Sequence, residues 1–406
     1  MSKTTPVVED DYGFDQIIDR RDTNALVQEG YEDYLFDGKA LDLSCDPSDL
    51  IHLWIADMAL PAPRSAVDAM SDRLQHPIFG YTGHFDDAYY DVLHAWSQRH
   101  YGWSFPREHL LLSSGVVPAL YKLVKLFCQP GDKVVTLSPT YGYFQHATVA
   151  GRATLLTSGL QKTDGVYAID FADLRQKAAD PATKLMLLCH PHNPTGRLWS
   201  DDELRQIAEV CFDNGVVIVS DEIHCDLLRQ GRTHTPLATL FPDADSIITC
   251  SGPSKTFNLA GLQIANVIIK DPGIRDRWIR NSLPVVNPIS LAGARGAYEG
   301  GAGWLTALRR HLDKNFEVLD ALLHEHLPQA ACSTPEATYL SWIDLAAYFP
   351  YPRNLTRFLA ERAGVLVEGA EMFVADGGQH IRMNIACPTA TVETAVARIA
   401  AAIDSR

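Results

Sequence analysis

The sequence has little positive charge, no long hydrophobic run and no closely paired cysteines. Its 35 lysines and arginines are outnumbered by 50 aspartates and glutamates, which gives a formal net charge of −15. An acidic chain without a basic stripe is unsuited to nucleic acid or to an anionic membrane surface. No apolar run approaches the roughly 20 residues that a membrane-spanning helix needs. We therefore expect no nucleic-acid partner and no membrane association.

The eight cysteines are scattered along the chain and form no Cys-x-x-Cys pair. The beginning of the sequence has neither the basic start nor the apolar stretch of a secretory signal. Widely spaced, unpaired cysteines are typical of buried free thiols in a reducing compartment. The sequence thus predicts a cytoplasmic protein without disulfides.

Short apolar runs alternate with amphipathic stretches through the middle of the chain. They predict strands at 133–137, 184–189, 216–220, 246–250 and 264–269. Strands that are apolar throughout suit a mostly parallel sheet covered on both faces, so an α/β architecture is expected. Between two of these strands, Ser200 precedes three acidic residues and predicts a helix start.

The pattern changes near residue 301, where a long helix is predicted at 304–327 and another at 391–403. With 406 residues the chain exceeds the usual size of a single core. We expect an N-terminal segment (1–60) that packs on the small domain, a large domain (61–300) and a small α+β domain (301–406).

Two reactive side chains follow predicted strands. Lys255 stands among small and polar residues after the strand that ends at Cys250, and Asp221 directly follows an apolar strand. Ligands of open α/β sheets bind at this carboxyl edge. Taken alone, Lys255 could be an ordinary exposed lysine, and Asp221 could be an ordinary helix-capping residue. Together they are what pyridoxal 5′-phosphate (PLP) requires: an amine to hold it and an acid for its ring nitrogen.

Two further motifs complete the set. The turn His190-Pro191-His192-Asn193-Pro194 is stiffened by prolines, and it points Asn193 over the strand ends as a donor for the ring oxygen of PLP. Gly115 precedes Val116 and Val117 at a helix start, where free N–H groups bind phosphate. A plain loop-to-helix junction is the alternative. The two histidine rings are expected to face solvent, and no metal site is predicted.

These motifs resemble the fold-type-I PLP enzymes of the aspartate aminotransferase superfamily, and more narrowly the MalY/PatB-type carbon–sulfur lyases, or cystathionine β-lyases. The resemblance extends from about residue 14 to about residue 403. It is carried by Asn193-Pro194-Thr195-Gly196, Asp221-Glu222-Ile223-His224 and 254–261, and by shorter matches such as Trp54-Ile55-Ala56-Asp57-Met58 and Ile381-Arg382-Met383-Asn384. It implies a large domain with a mostly parallel, seven-stranded sheet and a smaller α+β domain.

The resemblance also implies roles. Lys255 holds PLP as a Schiff base and takes the α-proton, and Asp221 pairs with the ring nitrogen. Arg382 receives the carboxylate of an amino-acid substrate. The other residues implied to bind the cofactor are Val116 and Val117 at the phosphate, Asn193 and His224 at the ring oxygen, Tyr141 on the ring face, Ser254 beside the lysine, and Tyr81. Tyr81 is implied to reach the neighbouring subunit of a homodimer with shared active sites.

The sequence departs from the family pattern at a few positions. Gln263 stands where the superfamily usually has an arginine that holds the phosphate, an exchange that fits the lyases better than the aminotransferases. Gly252 replaces a frequent serine, Ala59-Leu60 replaces an acid–aromatic pair, and 24–28 replaces a motif near the expected entrance. The substrate therefore stays open.

The same residues can carry more than one reaction. After the α-proton is removed, loss of a group from Cβ gives elimination, whereas return of the proton to the cofactor gives transamination. We expect a carbon–sulfur β-lyase that releases thiol, pyruvate and ammonia. An aminotransferase and a β- or γ-replacement enzyme of a biosynthetic pathway are the alternatives.

Overall fold

The chain is described by a computed structural model, which covers residues 12–84, 87–163, 165–282, 286–375 and 378–405. The first eleven residues of the predicted N-terminal segment lie outside the described residues. The strands are β1 (Ile51–His52), β2 (Leu110–Ser113), β3 (Lys133–Ser138), β4 (Thr154–Gly159), β5 (Gln161–Thr163), β6 (Val166–Ala168), β7 (Thr183–Cys189), β8 (Val217–Asp221), β9 (Ile247–Ser251), β10 (Ala265–Ile269), β11 (Ala331–Cys332), β12 (Leu340–Asp344), β13 (Val365–Leu366), β14 (Glu368–Gly369) and β15 (His380–Asn384).

The helices connect these strands and cover the sheets. They are α1 (Leu26–Glu29), α2 (Tyr31–Phe36), α3 (Arg64–Leu74), α4 (Ala88–Tyr101), α5 (Val116–Phe127), α6 (Gly142–Ala150), α7 (Phe171–Ala178), α8 (Asp201–Asp213), α9 (Leu237–Leu240), α10 (Pro253–Thr256), α11 (Pro272–Arg280), α12 (Pro288–Gly300), α13 (Ala302–His326), α14 (Leu355–Ala363) and α15 (Thr389–Asp404). Within the described ranges, none of these helices combines the length and the apolar composition that a membrane span requires.

The large sheet has seven strands in the order β2-β10-β9-β8-β7-β3-β4. β10 runs antiparallel to both of its neighbours, and the pairs from β9 to β4 are parallel. The predicted mostly parallel sheet is therefore confirmed. Each of the five predicted strands is present, with its ends displaced by at most one residue.

The central strands are mostly apolar because both of their faces are covered. Leu185 and Leu187 of β7 pack in a core on one face together with α5, whereas Met186 and Leu188 pack with α8 on the other. Successive side chains of a strand point to opposite faces, so a strand between two helical layers buries the side chains of both faces. A polar residue there needs an internal partner, as when the Thr136 hydroxyl donates to the Leu187 carbonyl oxygen at 2.8 Å. This arrangement leaves the strand ends as the place for polar chemistry.

Helix α8 begins where its sequence predicts. The Ser200 side chain accepts a hydrogen bond from the Glu203 N–H, and the Glu203 carboxylate accepts one from the Ser200 N–H, at 3.2 and 2.8 Å. Such a capping box pairs N–H groups that the helix itself leaves without partners. The helix fixes the crossover between β7 and β8, whose ends carry two of the predicted site residues.

A smaller antiparallel sheet has the strand order β11-β12-β15-β14 and packs against α13 and α15. The N-terminal segment joins this part of the chain through β1, which pairs in parallel with β13. Trp54 is fully buried there and donates its indole N–H to the Val27 carbonyl oxygen at 3.0 Å. Most of the apolar side chains between these two residues pack in one cluster with Ala360 of α14 and Leu366 of β13.

Candidate active site

Three neighbouring strands of the large sheet end at one cavity. Cys189 at the end of β7 lies opposite Asp221 at the end of β8, and β9 ends just before α10, which carries Lys255. The cavity has a volume of about 240 Å³. Its lining includes the predicted residues Val116, Val117, Tyr141, Asn193, Asp221, His224, Ser254, Lys255 and Arg382.

Lys255 is half-buried at the cavity, and its Nζ donates a hydrogen bond to the Ala56 carbonyl oxygen at 2.6 Å. The Tyr339 hydroxyl donates to the same oxygen at 3.0 Å. Burial lowers the pKa of Lys255 to about 8, because the ammonium form is disfavoured away from water. A large share of the amine is therefore neutral near pH 8, as a nucleophile or a base must be.

Asp221 is a buried carboxylate, only 5% exposed. Its Oδ1 accepts a hydrogen bond from the Ile223 N–H at 3.2 Å. Burial raises the pKa of Asp221 to about 7. A carboxylate this costly to ionise is stabilised by a cation brought into the cavity, and a protonated ring nitrogen is such a cation.

Arg382 is nearly enclosed, with 2% of its surface exposed. Its Nη1 donates to Asn193 Oδ1 at 3.1 Å, and its Nη2 donates to the Trp54 carbonyl oxygen at 3.2 Å. Nη2 also forms an ion pair with Glu368, which lies opposite Arg382 on the neighbouring strand β14. The Asn193 side-chain oxygen is engaged by this contact, which leaves its NH2 group as the donor toward the cavity.

The other end of the cavity is formed by the start of α5. Gly115 precedes this helix with a φ of 127°, in the region that favours glycine, and Val116 and Val117 form the first turn. The first N–H groups of a helix have no partners within it and suit a phosphate. Gln263, at the position of the expected arginine, lines the same cavity without adding a charge.

His224 and Tyr141 flank the cavity. The His224 ring is 2% exposed, and its Nδ1 has no hydrogen-bond partner among the described residues. Burial lowers the pKa of His224 to about 3, so the ring is neutral. Tyr141 immediately precedes α6. A buried ring nitrogen without a partner fits a site that a polar ligand completes.

Tyr81 is not among the lining residues of the cavity. It is 98% exposed, so this chain does not bring it to its own cavity. Conversely, the sequence did not predict Glu368, Tyr34 or Tyr143, all of which line it, whereas Leu26 belongs to the stretch 24–28 that was expected near the entrance. The one available signal was the acid at the end of the apolar run Val365-Leu366-Val367, since a charge in such a run is unusual.

The histidines of the proline turn correct one expectation. Instead of facing solvent, His190 is completely buried and His192 is 1% exposed. The His190 ring packs on His234 with centroids 4.5 Å apart, and the His192 ring contacts Trp199 at 5.4 Å. The turn follows a central strand of the sheet, where neighbouring loops cover it. The prolines indicate that the turn is stiff, but they carry no information on whether other segments bury it.

The contents of the cavity fit PLP. Among the described residues, Lys255 supplies an amine that can lose its charge, and Asp221 supplies a buried acid without a strong cationic partner. Asn193 and His224 supply polar groups for the ring oxygen, and the start of α5 supplies N–H groups for the phosphate. The eight cysteines are free thiols, six of them buried.

Known proteins resemble this chain over nearly its whole length. Residues 48–399 match the family described as aminotransferase class I and II. The chain is 39% identical to cystathionine beta-lyase PatB of Bacillus subtilis over 361 residues, which covers 88% of this chain and 93% of PatB. It is 30% identical to protein MalY of Escherichia coli, covering 88% and 92%. The solved PLP-bound C–S lyase of Staphylococcus hominis, complexed with L-cycloserine, is 41% identical with a TM-score of 0.94, covering 97% and 98%.

Proposed function

The chain belongs to the aminotransferase class I and II family, and from this premise we propose that it is a PLP-dependent carbon–sulfur β-lyase. It would act on an amino acid with sulfur at Cβ and release thiol, pyruvate and ammonia. The observation that carries the proposal is the likeness to the Staphylococcus hominis C–S lyase, at 41% identity over 97% of the chain. The uncharged Gln263 at the phosphate end of the cavity agrees with it.

The lining of the cavity assigns each residue a task. Lys255 would attach the cofactor, Asp221 would face its ring nitrogen, and Asn193 with His224 would contact its ring oxygen. Tyr141 would lie on the ring, and the start of α5 with Ser254 would hold the phosphate. When bound, the cofactor supplies an electron sink that stabilises negative charge at Cα of the substrate.

The substrate is held and deprotonated by residues of this chain. Arg382 would hold the α-carboxylate, because a guanidinium binds a carboxylate through two parallel hydrogen bonds. The Lys255 amine would then take the Cα proton. Its pKa of about 8 keeps it ready to accept a proton near neutral pH. Loss of the Cβ–S bond would follow from that proton transfer.

Transamination is the second candidate, because the matching family is named for it. Lys255 would then return the proton to the cofactor instead of leaving the electrons to expel the thiol. The residues around the cavity are the same for both reactions. A β- or γ-replacement would need a second substrate to enter before release.

We further propose a cytoplasmic homodimer with shared active sites. The 98% exposure of Tyr81 supports a role outside its own cavity, in the neighbouring subunit. The free thiols agree with a reducing compartment. We divide the chain into the segment 1–60, the large domain 61–300 and the small domain 301–406, a division supported by the pairing of β1 with β13.

A substrate panel tests the reaction. The purified enzyme is incubated with cystathionine, cystine and sulfur-free amino acids, each with and without a keto-acid acceptor. Pyruvate, ammonia and the sulfur product are expected in equal amounts, independent of the acceptor, with Lys255→Ala as the inactive control. The sulfur product is a thiol from cystathionine and the persulfide thiocysteine from cystine. Keto-acid formation that depends on the acceptor, without thiol release, would instead establish an aminotransferase.

A further inference from the structure

A second carboxylate occupies the substrate end of the cavity. Glu368 is 5% exposed, lines the cavity and forms an ion pair with Nη2 of Arg382. The two residues are direct cross-strand partners in the β14–β15 ladder. The arginine that is proposed to receive the substrate carboxylate therefore already holds one supplied by the chain.

The geometry of the guanidinium makes this a competition. A carboxylate can bind in two-pronged fashion to Nε with Nη2 or to Nη1 with Nη2, so both approaches use Nη2. Nη1 is engaged by Asn193, whereas Nε is buried without a partner among the described residues. Nη2 donates to the Trp54 carbonyl oxygen and pairs with Glu368, so both of its hydrogens are in use. A substrate carboxylate that binds in two-pronged fashion must therefore displace one of these partners, and Glu368 is the one carried on a side chain.

We infer that the substrate carboxylate displaces Glu368 from Arg382 and that the released Glu368 takes up a proton. This inference rests on the proposed function, in which Arg382 is the carboxylate site. After displacement, Glu368 would be a buried carboxylate that has lost its contact with Arg382 and has a second carboxylate nearby. Its charged form is then strongly disfavoured, and protonation removes that charge. Glu368 would thereby set how substrate affinity depends on pH.

The surroundings of Glu368 contain few other charges. Arg382 faces it from β15 and Lys255 from α10. The hydroxyls of Tyr34 and Tyr141 also lie near enough to interact with its charge, and Tyr143 lies beside them. Glu371, the nearest further acid in sequence, is exposed and accepts a hydrogen bond from Thr356 at 2.6 Å.

The pKa of Glu368 is raised already in the free enzyme. Burial raises it, and Arg382 beside it acts in the opposite direction without cancelling the effect. Displacement removes that opposing influence, so the pKa rises further when a carboxylate binds. Between the free and bound pKa values, one proton is taken up for each ligand, and the dissociation constant rises about tenfold for each pH unit.

Calorimetry on the holoenzyme tests the exchange. The probe is 3-(methylthio)propanoate, which has the carboxylate and sulfur of S-methylcysteine but no amine, so it cannot undergo elimination or transamination. Titrations between about pH 6 and about pH 9, in buffers of different ionisation enthalpy, give the number of protons taken up. We expect uptake to approach one proton per ligand within this range, with the dissociation constant rising toward the alkaline end.

Two variants assign the proton. Glu368→Gln should abolish the uptake, make the dissociation constant independent of pH and lower it about tenfold or more at the alkaline end. Glu371→Gln, the matched control, should behave like the wild type. Circular dichroism and thermal unfolding report whether each variant is folded.

Several outcomes overturn the inference. Binding without proton uptake by the wild type would mean that Glu368 stays on Arg382, as a purely structural ion pair would, and this result needs no variant. Uptake that persists in Glu368→Gln would assign the proton to another group, and absence of binding would remove Arg382 as the carboxylate site. Because the probe cannot react, none of these results depends on whether the enzyme is a lyase, which the substrate panel decides.

Discussion

Replacing Asp221 by asparagine should lower activity and, at the same time, stabilise the cofactor-free protein. The carboxylate is 5% exposed, and burial raises its pKa to about 7 from the ordinary 3.8. Since one pH unit corresponds to 1.36 kcal/mol, ionisation of Asp221 costs the cofactor-free fold up to about 4 kcal/mol above pH 7. Asparagine keeps an oxygen for the Ile223 N–H and never carries this charge.

The sign of the pH dependence follows from that shift. An acid whose pKa is raised by folding binds more protons in the folded state between about pH 4 and about pH 7, so its destabilising effect grows as the pH rises through this range. At pH 8 the cofactor-free Asp221→Asn protein should therefore melt at a higher temperature than the wild type. The difference should shrink toward pH 4.

Catalysis should respond in the opposite direction. The cost of burying the charge is offset when a protonated ring nitrogen binds beside it, and the charge matters most as electrons move into the ring. Loss of about 4 kcal/mol of this stabilisation corresponds to a decrease in kcat of about a thousandfold. The assay is steady-state kinetics with saturating cofactor, and thermal unfolding of the cofactor-free protein across pH is measured in parallel.

Asp213→Asn is a matched control, because Asp213 is exposed at the end of α8, the helix that leads to the same strand. It should change neither quantity. An unchanged kcat in Asp221→Asn would show that Asp221 is not the partner of the ring nitrogen. A cofactor-free variant that melts below the wild type at pH 8 would refute the argument from burial.

Four further changes test the remaining roles. Lys255→Ala should abolish turnover and the visible absorbance of bound PLP while leaving the circular dichroism spectrum intact; turnover without added amine would contradict its role. Arg382→Ala should raise KM about a hundredfold, for a contact of about 3 kcal/mol, with a smaller effect on kcat; an unchanged KM would place the carboxylate site elsewhere. Mixing inactive Tyr81→Ala and Lys255→Ala proteins should restore part of the activity, since a hybrid dimer has one intact site, and sedimentation as an active monomer would refute sharing. Ser200→Ala should lower the free energy of unfolding by about 1 kcal/mol through loss of the cap of α8, as measured by denaturant unfolding, and an unchanged value would show that the cap contributes little.

The sequence by itself predicted the central strands and the residues at their ends. β7, β8 and β9 are mostly apolar because two helical layers cover them, and that burial is visible in the sequence as a short, nearly continuous apolar run. The edge strands β2 and β4 were not predicted. β4 is only partly buried and β2 is short, so neither has such a run. Parallel strands carry their carboxyl ends to one edge, so Asn193, Asp221 and Lys255 could be placed together without knowing the fold in detail.

Only the tertiary structure decided what surrounds these residues. The contact between Glu368 and Arg382 depends on the register of β14 against β15, and the contact between Lys255 and Ala56 joins positions 199 residues apart. The same is true of the burial of His190 and of the shifts in pKa, which depend on neighbours brought in from distant segments. A sequence pattern indicates which side chains of one segment are buried and which are exposed. The charge and reactivity of a site depend instead on which distant segments come into contact.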